Sequence, residues 1–390
     1  MIPKDWEFMP LEQLASVERG KFTVRPRNDP RYYGGSVPFI QTGDVVAANG
    51  IIESYSQTLN EEGLKVSKLF PKGAILITIA ANIGDVAITS IDVACPDSIV
   101  VVQANPSVSK EWLKYALSSR KSVMEAAATQ NAQKNINLQV LRPLLIPTPS
   151  KEEQYKIAEI LSVWDEAITK TKKLITAKRK LKIVLLQKLL NSSSFLSEFK
   201  VCTLGEIADI NMGQSPSSEN YNAKKIGLPL IQGNADIENM RFVPRIWTTQ
   251  VTKTVTADEI IMTVRAPVGE VAITDFNACI GRGICSLSPQ LGISKNFLYF
   301  LIIGLEKQWV RLSQGSTFTA INSKDIKNLS VKYPLDKSVQ ESIGNLGIAL
   351  EREESLLNQQ LQKLQKQKRG LMQKLLTGKW RVTIEKPINF

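Results

Sequence analysis

The sequence predicts an α+β fold: two pseudo-two-fold-related globular domains separated by two long antiparallel coiled-coil helices. Three observations predict it. Near the C-terminus, Ile343, Leu350, Leu357, Leu364 and Leu371 recur at intervals of seven. A second proline-free stretch, 151–191, carries matching markers: Gln-Lys-Leu-Leu stands at 187–190 and again at 373–376, and Gln154 with Ile157 answers Gln340 with Ile343. Ordered blocks of the first half recur in the second, so the chain is an internal repeat and its copies must fold alike.

Residues 1–150 form the first domain. Leu11-Glu-Gln-Leu-Ala leading to Gly20, and Val37-Pro-Phe-Ile-Gln41, open it. Ala74–Ile79 and Ser98–Val102 are short, β-branched apolar runs and read as buried strands. Gly84 lies between strand-like runs, where a turn asks for positive φ. Glu111–Ser119 reads as a helix, and Pro149 closes the domain before the long helix 151–191. The seam of that helix is assigned to Ile157, Trp164, Leu174, Leu181 and Leu185.

Residues 192–336 repeat the pattern after a Ser-rich linker, 191–197. Leu204-Gly-Glu-Ile-Ala leads to Gly213, and Leu228-Pro-Leu-Ile-Gln232 follows. Glu259–Val264 and Ser330–Lys332 read as strands, Lys295–Leu305 as a helix, and Gly269 as the counterpart of Gly84. The second long helix, 337–378, places its heptad residues on one buried stripe. About 40 residues at ~1.5 Å each give a rod of ~60 Å. Residues 379–390 form a tail. One helix leaves the first domain for the second and the other runs back, so packed seams must be antiparallel.

Composition narrows the function. The chain has 390 residues, 43% of them hydrophobic, and a net charge of +12, which favours polyanions. No apolar run approaches the ~18 residues of a membrane span, and the N-terminus lacks the apolar core of a signal peptide. Four cysteines without a CxxC pair read as buried cytoplasmic thiols. The absence of histidine excludes His-based triads and His–metal sites. There is no phosphate loop, no amino-methyltransferase motif and no Gly-rich cofactor loop, so no cofactor is expected. Asp44 and Asp85 are single acids beside turn glycines and read as loop residues.

The repeat carries a resemblance. Ile136-Asn137, then Leu144-Leu-Ile-Pro-Thr-Pro-Ser150, then Glu153-Gln154 and Ile157, is answered by Ile321-Asn322, Leu329-Ser-Val331, Pro334, Gln340 and Ile343. The chain closes its second helix with Leu371-Met-Gln-Lys-Leu-Leu-Thr-Gly-Lys-Trp-Arg381. This ordered set resembles the specificity subunits of type I restriction–modification systems over essentially the whole chain. The resemblance implies two target-recognition domains, each reading one half of a split sequence in double-stranded DNA. It implies a coiled coil that sets the gap, two methyltransferase subunits docked on the repeats, and restriction subunits in the full complex. It implies that this subunit catalyses nothing.

Scaffold motifs supply few DNA contacts, so the differences between copies serve as the guide. The segment 129–135 contrasts with 314–320, and both precede Ile-Asn. Gln130, Asn131, Gln133 and Asn135 carry amides suited to adenine; Thr317 and Thr319 suit a thymine methyl; Lys134 suits phosphate or guanine. A solvated polar loop is the plain alternative for each. Arg265 replaces Ala80 and suits guanine, or else a salt bridge to an acid such as Glu270. Arg19, Lys21, Lys224 and Lys225 suit phosphates. Asn137 and Asn322 read instead as helix N-caps. The basic run Lys170–Lys182 suits a solvated face, DNA, or an acidic partner. Two other functions remain open: a coiled-coil adaptor without sequence-specific DNA binding, and an enzyme with an unrecognised site.

Overall fold

The computed structural model describes residues 2–48, 50–129, 135–191, 198–238, 241–314 and 320–384. It divides into two compact units: Met1–Thr169 with Gln362–Phe390, and Lys170–Leu361.

In the first unit, strands β1 (Ala15–Arg19), β2 (Ile75–Thr78) and β3 (Ile99–Ala104) lie in a sheet in the order β1-β3-β2, all antiparallel, with β1 at its edge. Val86–Thr89 and Ile51–Ile52 extend it. Every residue of β2 is buried. Alternate side chains enter two different cores: Ile75 and Ile77 join Trp112 and Val100, whereas Leu76 joins Phe70 and Val101. A strand covered on both faces needs a continuous apolar run, which is what the sequence shows. Helix α1 (Lys110–Ser118) covers one face, capped by Ser109, whose hydroxyl accepts from Trp112 N. Helix α2 (Lys151–Asn191) follows.

The second unit repeats this. Strands β4 (Ala208–Met212), β5 (Ile260–Thr263) and β6 (Ile284–Pro289) run in the order β4-β6-β5. Ile260 and Met262 face one core and Ile261 the other. Helix α3 (Lys295–Gly304) corresponds to α1, and helix α4 (Lys337–Leu375) to α2. The expected turn glycines have φ of +81° at Gly84 and +89° at Gly269. Each closes the same turn, with Gly84 N donating to Thr78 O at 2.8 Å and Gly269 N to Thr263 O at 3.0 Å. The asparagine caps are also present: the Asn137 side chain accepts from Val140 N, and that of Asn322 from Asp325 N.

Each long helix is anchored by its glutamine. Gln154 Oε1 accepts from Ser109 N at 2.9 Å, and its Nε2 donates to Pro149 O at 3.1 Å. Gln340 accepts from Ser294 N at 2.8 Å and donates to Pro334 O at 3.0 Å. Both are buried, so each amide ties a helix start to the neighbouring helix cap and to the strand end.

Within each unit the two long helices run antiparallel. In the first, Asp165 of α2 accepts from Tyr115 at 2.6 Å and from Lys368 of α4. In the second, Glu351 of α4 accepts from Tyr299 at 3.2 Å, and Lys182 of α2 lies 3.9 Å from it. Lys182 stands as far beyond Asp165 on α2 as Lys368 stands beyond Glu351 on α4. The same acid–tyrosine–lysine cluster is therefore built twice, with the helices exchanging roles.

The seam assignment on α2 needs correction. Ile157 is buried, and Trp164 and Leu185 are half-buried, but Leu174 and Leu181 are 44% and 50% exposed. The buried heptad runs one residue later, through Leu161, Ile168, Ile175 and Lys182. Because its last member is charged, apolar letters alone shift the seam onto the adjacent leucines. On α4, Ile343 is buried and Leu350, Leu357, Leu364 and Leu371 are half-buried. Cysteines 95, 279 and 285 are buried and free; Cys202 is only half-buried.

The tail after α4 has a contact that sequence reasoning missed. Arg381 pairs with Asp5 through two hydrogen bonds of 2.9 and 2.7 Å and reaches Glu153 at 2.8 Å. Trp6 Nε1 donates to the same Glu153 at 3.0 Å. Glu153 is 2% exposed, and these two donors satisfy a carboxylate that burial would otherwise disfavour.

Candidate nucleic-acid interface

The ends of the central strands are held by the same backbone bonds in both units. Gly20 N donates to Ile99 O and Gly213 N to Ile284 O, each at 2.9 Å. Lys21 N donates to Cys95 O, and Gln214 N to Ile280 O, each at 2.9 Å. The amide of Ile99 closes a turn on Pro96 O at 3.1 Å, and that of Ile284 closes one on Gly281 O at 3.0 Å. Ile136 N reaches Ile79 O at 3.1 Å, and Ile321 N reaches Val264 O at 3.0 Å. Two backbones with the same hydrogen-bond pattern thus present different side chains.

In the first unit, Arg19 ends β1 and Lys21 follows it; both are exposed beside the Pro96–Ile99 turn. Asp97 of that turn pairs with Arg25 at 3.6 Å and Arg27 at 2.5 Å. Asn135 is half-buried immediately before Ile136. Gln130, Asn131, Gln133 and Lys134 lie outside the described residues.

In the second unit, Arg265 is exposed at the end of β5 and pairs through its backbone with Ala320, where the 314–320 segment rejoins the sheet. Thr317 and Thr319 lie outside the described residues. Arg265 lines a cleft of about 570 Å³ with Ser215, Tyr221, Gln232 and Arg282. Gln232 Nε2 donates to the Tyr221 hydroxyl at 2.9 Å, which fixes that wall. Neither Arg265 nor Arg282 has an ion pair among the described residues, so the salt bridge to Glu270 allowed by the sequence does not form. Lys224 and Lys225 occupy a separate loop. Lys224 N donates to Asn222 Oδ1 at 3.1 Å, and Lys225 adopts φ of +62° with its ammonium 5.7 Å from the Trp247 ring centre.

Arg282 is the residue that sequence reasoning passed over. Its only signal is that a cation stands where the first copy has Asp97, and the turns must be aligned to see it. Among the described residues no group of His, Cys, Asp and Glu is arranged to hold a metal ion, and no helix is long and apolar enough to cross a membrane.

These paired scaffolds match the family model described as the type I restriction modification DNA specificity domain, over residues 3–178 and again over 196–366. The chain belongs to this family, a recognition domain of the non-catalytic subunits of type I systems. A Methanocaldococcus jannaschii protein that carries the name type I restriction enzyme MjaX specificity subunit is 30% identical, covering 98% of this chain and 95% of its own. The type I restriction enzyme MjaIX specificity subunit of the same organism is 25% identical over the same shares. Among solved structures, the type I restriction–modification S subunit from M. genitalium has a TM-score of 0.58 at 21% identity, covering 96% of each chain. A chain from a type I R-M assembly has a TM-score of 0.62 at 23% identity, covering 97% of this chain and 100% of that one.

Proposed function

We propose that this chain is the DNA sequence-recognition subunit of a type I restriction–modification complex. Residues 1–150 and 192–336 are its two target-recognition domains, each reading one half of a bipartite target. The helices 151–191 and 337–378 set the spacer, and the tail, 379–390, fastens the second helix to the first domain through Arg381. Two methyltransferase subunits dock on the repeated regions, restriction subunits complete the assembly, and the complex works in the cytoplasm on double-stranded DNA.

The observation that carries this reading is the pair of matched backbones with unlike side chains at their strand ends. One fold used twice presents Ala80 and Asp97 in one copy and Arg265 and Arg282 in the other. Base edges are told apart by side chains that differ, whereas phosphates take the same contacts whatever the sequence. Arg19, Lys21, Lys224 and Lys225 take the phosphate role. Gln130, Asn131, Gln133 and Asn135 of the first domain and Thr317 and Thr319 of the second take the base-reading role, and Lys134 meets phosphate or guanine. The chain selects the site, and methyl transfer and cleavage belong to its partners. A coiled-coil adaptor without DNA contact is not favoured, because the family is a DNA-specificity one. Binding of the assembled complex to DNA across a salt series is the test. Affinity falling steeply with salt, together with preference for one split sequence, supports the reading. Flat salt dependence without preference sinks it.

A further inference from the structure

We propose that Arg282, acting with Arg265, reads a guanine in the half-site bound by the second domain. This rests on the reading above that each domain contacts one half of a DNA target.

The strand register brings the two residues together. β5 and β6 pair antiparallel with Ile260 opposite Leu287 and Thr263 opposite Ile284. The next backbone bond, Val264 N to Gly283 O at 2.9 Å, continues that register. One residue further on, Arg265 stands opposite Arg282. Residues directly opposite in an antiparallel pair project to the same side, and both guanidinium groups line the one cleft. Like charges in that relation repel, and no carboxylate is among the cleft's lining residues. The arrangement is unfavourable for the chain alone and becomes favourable when acceptors enter the cleft.

The turn carrying Arg282 is fixed in place. Its amide donates to Ser215 Oγ at 3.1 Å, and Gly281 and Gly283 on either side are buried. A Cβ at Gly283 would lie 2.3 Å from Gln232 O, so only glycine allows the turn to sit this close to the strand behind it. The one side chain projecting from this buried turn is that of Arg282. A rigid mount of this kind suits a residue whose bonds must be aimed.

The first unit indicates which acceptor is meant. The same register there, Thr78 opposite Ile99, continues to place Ala80 opposite Asp97. Asp97 cannot meet a phosphate, and its charge is satisfied by Arg25 and Arg27. Phosphates are alike in both half-sites, so a position that carries opposite charge on the same backbone suits a base. Guanine offers O6 and N7 as paired acceptors on its major-groove edge, matched to the arginine fork.

The test uses the full-length chain assembled with its methyltransferase subunits, comparing wild type with Arg282→Gln and Arg265→Gln. Methylated sequences are read genome-wide, and DNA binding is measured across a salt series. The expected result is that guanine preference at one position in one half falls roughly ten- to a hundredfold, while the other half stays unchanged. The unchanged half doubles as the check that each variant folds. If the variants keep the wild-type sequence while affinity drops uniformly and the salt slope falls by about one, the contact is to phosphate and the inference is overturned. Wild-type sequence and wild-type affinity overturn it as well. A wild-type complex that modifies no split sequence would instead defeat the reading on which this rests.

Discussion

Lys182 on α2 donates to the carboxylate of Glu354 on α4 across 3.1 Å, and the lysine is buried where an apolar seam residue would be expected. Arg179 bonds the same carboxylate, and Glu351 lies 3.9 Å from the lysine. A buried ion pair contributes little net stability, but removing one partner strands the other. It also specifies register, because only one alignment of the two helices sets Lys182 and Arg179 together against Glu354.

Replacing Glu354 with alanine should therefore destabilise the second unit. With Glu351 left nearby as a substitute acid, the loss should be about 2 kcal/mol, below that for a fully isolated buried charge. The exchange Lys182→Glu with Glu354→Lys should recover part of it. Denaturant unfolding of the three proteins checks this. A Glu354→Ala variant as stable as wild type would show that the pair does not hold the helices.

The same carboxylate sets a pH dependence. Burial alone would raise Glu354, but hydrogen bonds from Arg179 and Lys182 outweigh it and hold the carboxyl below its ordinary value. A group with a lowered folded pKa adds stability above its unfolded pKa, and that stability is lost as pH falls through the folded value. Glu351 behaves oppositely, raised chiefly by burial, so its share is present at low pH and fades as pH rises. Thermal unfolding from pH 3 to 6 should show a shallower acid limb for Glu354→Gln than for wild type. An unchanged or steeper limb would contradict this sign.

Gln340 should be sensitive in a different way. Gln340→Leu keeps the bulk but leaves the Ser294 amide and the Pro334 carbonyl without their partner. Each unsatisfied buried group costs about 1–3 kcal/mol, so a loss of at least about 2 kcal/mol is expected. Gln154→Leu should act alike in the first unit. Hydrogen exchange at Ser294 and Ser109 locates the effect, which should be confined to the mutated unit.

Much of this fold was legible in the sequence because it is written twice. The glycines, the capping asparagines and the anchoring glutamines recur at matched positions, and each holds a backbone group that side-chain variation leaves alone. The long helices were legible from their lack of proline and their heptads. What was not legible had physical reasons. Lys182 occupies a seam position through its charge, so an apolar count placed Leu174 and Leu181 there instead. Many strands, such as Ile51–Ile52 and Arg241–Phe242, have only two residues, too few to show a period. Arg282 lies in a turn, and only the sheet register brings it opposite Arg265. Arg381 follows the last helix, and only folding brings it to Asp5 and Glu153.

The segment 314–320 rejoins the sheet at Ala320 beside Arg265. Exchanging this segment for one from another member of the family should alter the recognised bases in one half of the target alone. Methylation patterns from cells carrying the hybrid give the answer. Change in both halves would mean that the two domains do not read independently.

Lengthening the rod tests the spacer. Adding four residues to each long helix extends it by ~6 Å. At ~3.4 Å per base pair, the gap between half-sites should widen by roughly two base pairs with both halves unchanged. A gap that ignores the insertion would remove the helices from that role.

The most direct measurement is genome-wide methylation sequencing in cells that express this chain with its methyltransferase subunits. One split target is expected: two short defined sequences separated by a gap of fixed length and unspecified composition. Methylation of a single uninterrupted sequence, or a pattern that does not depend on this chain, would contradict it.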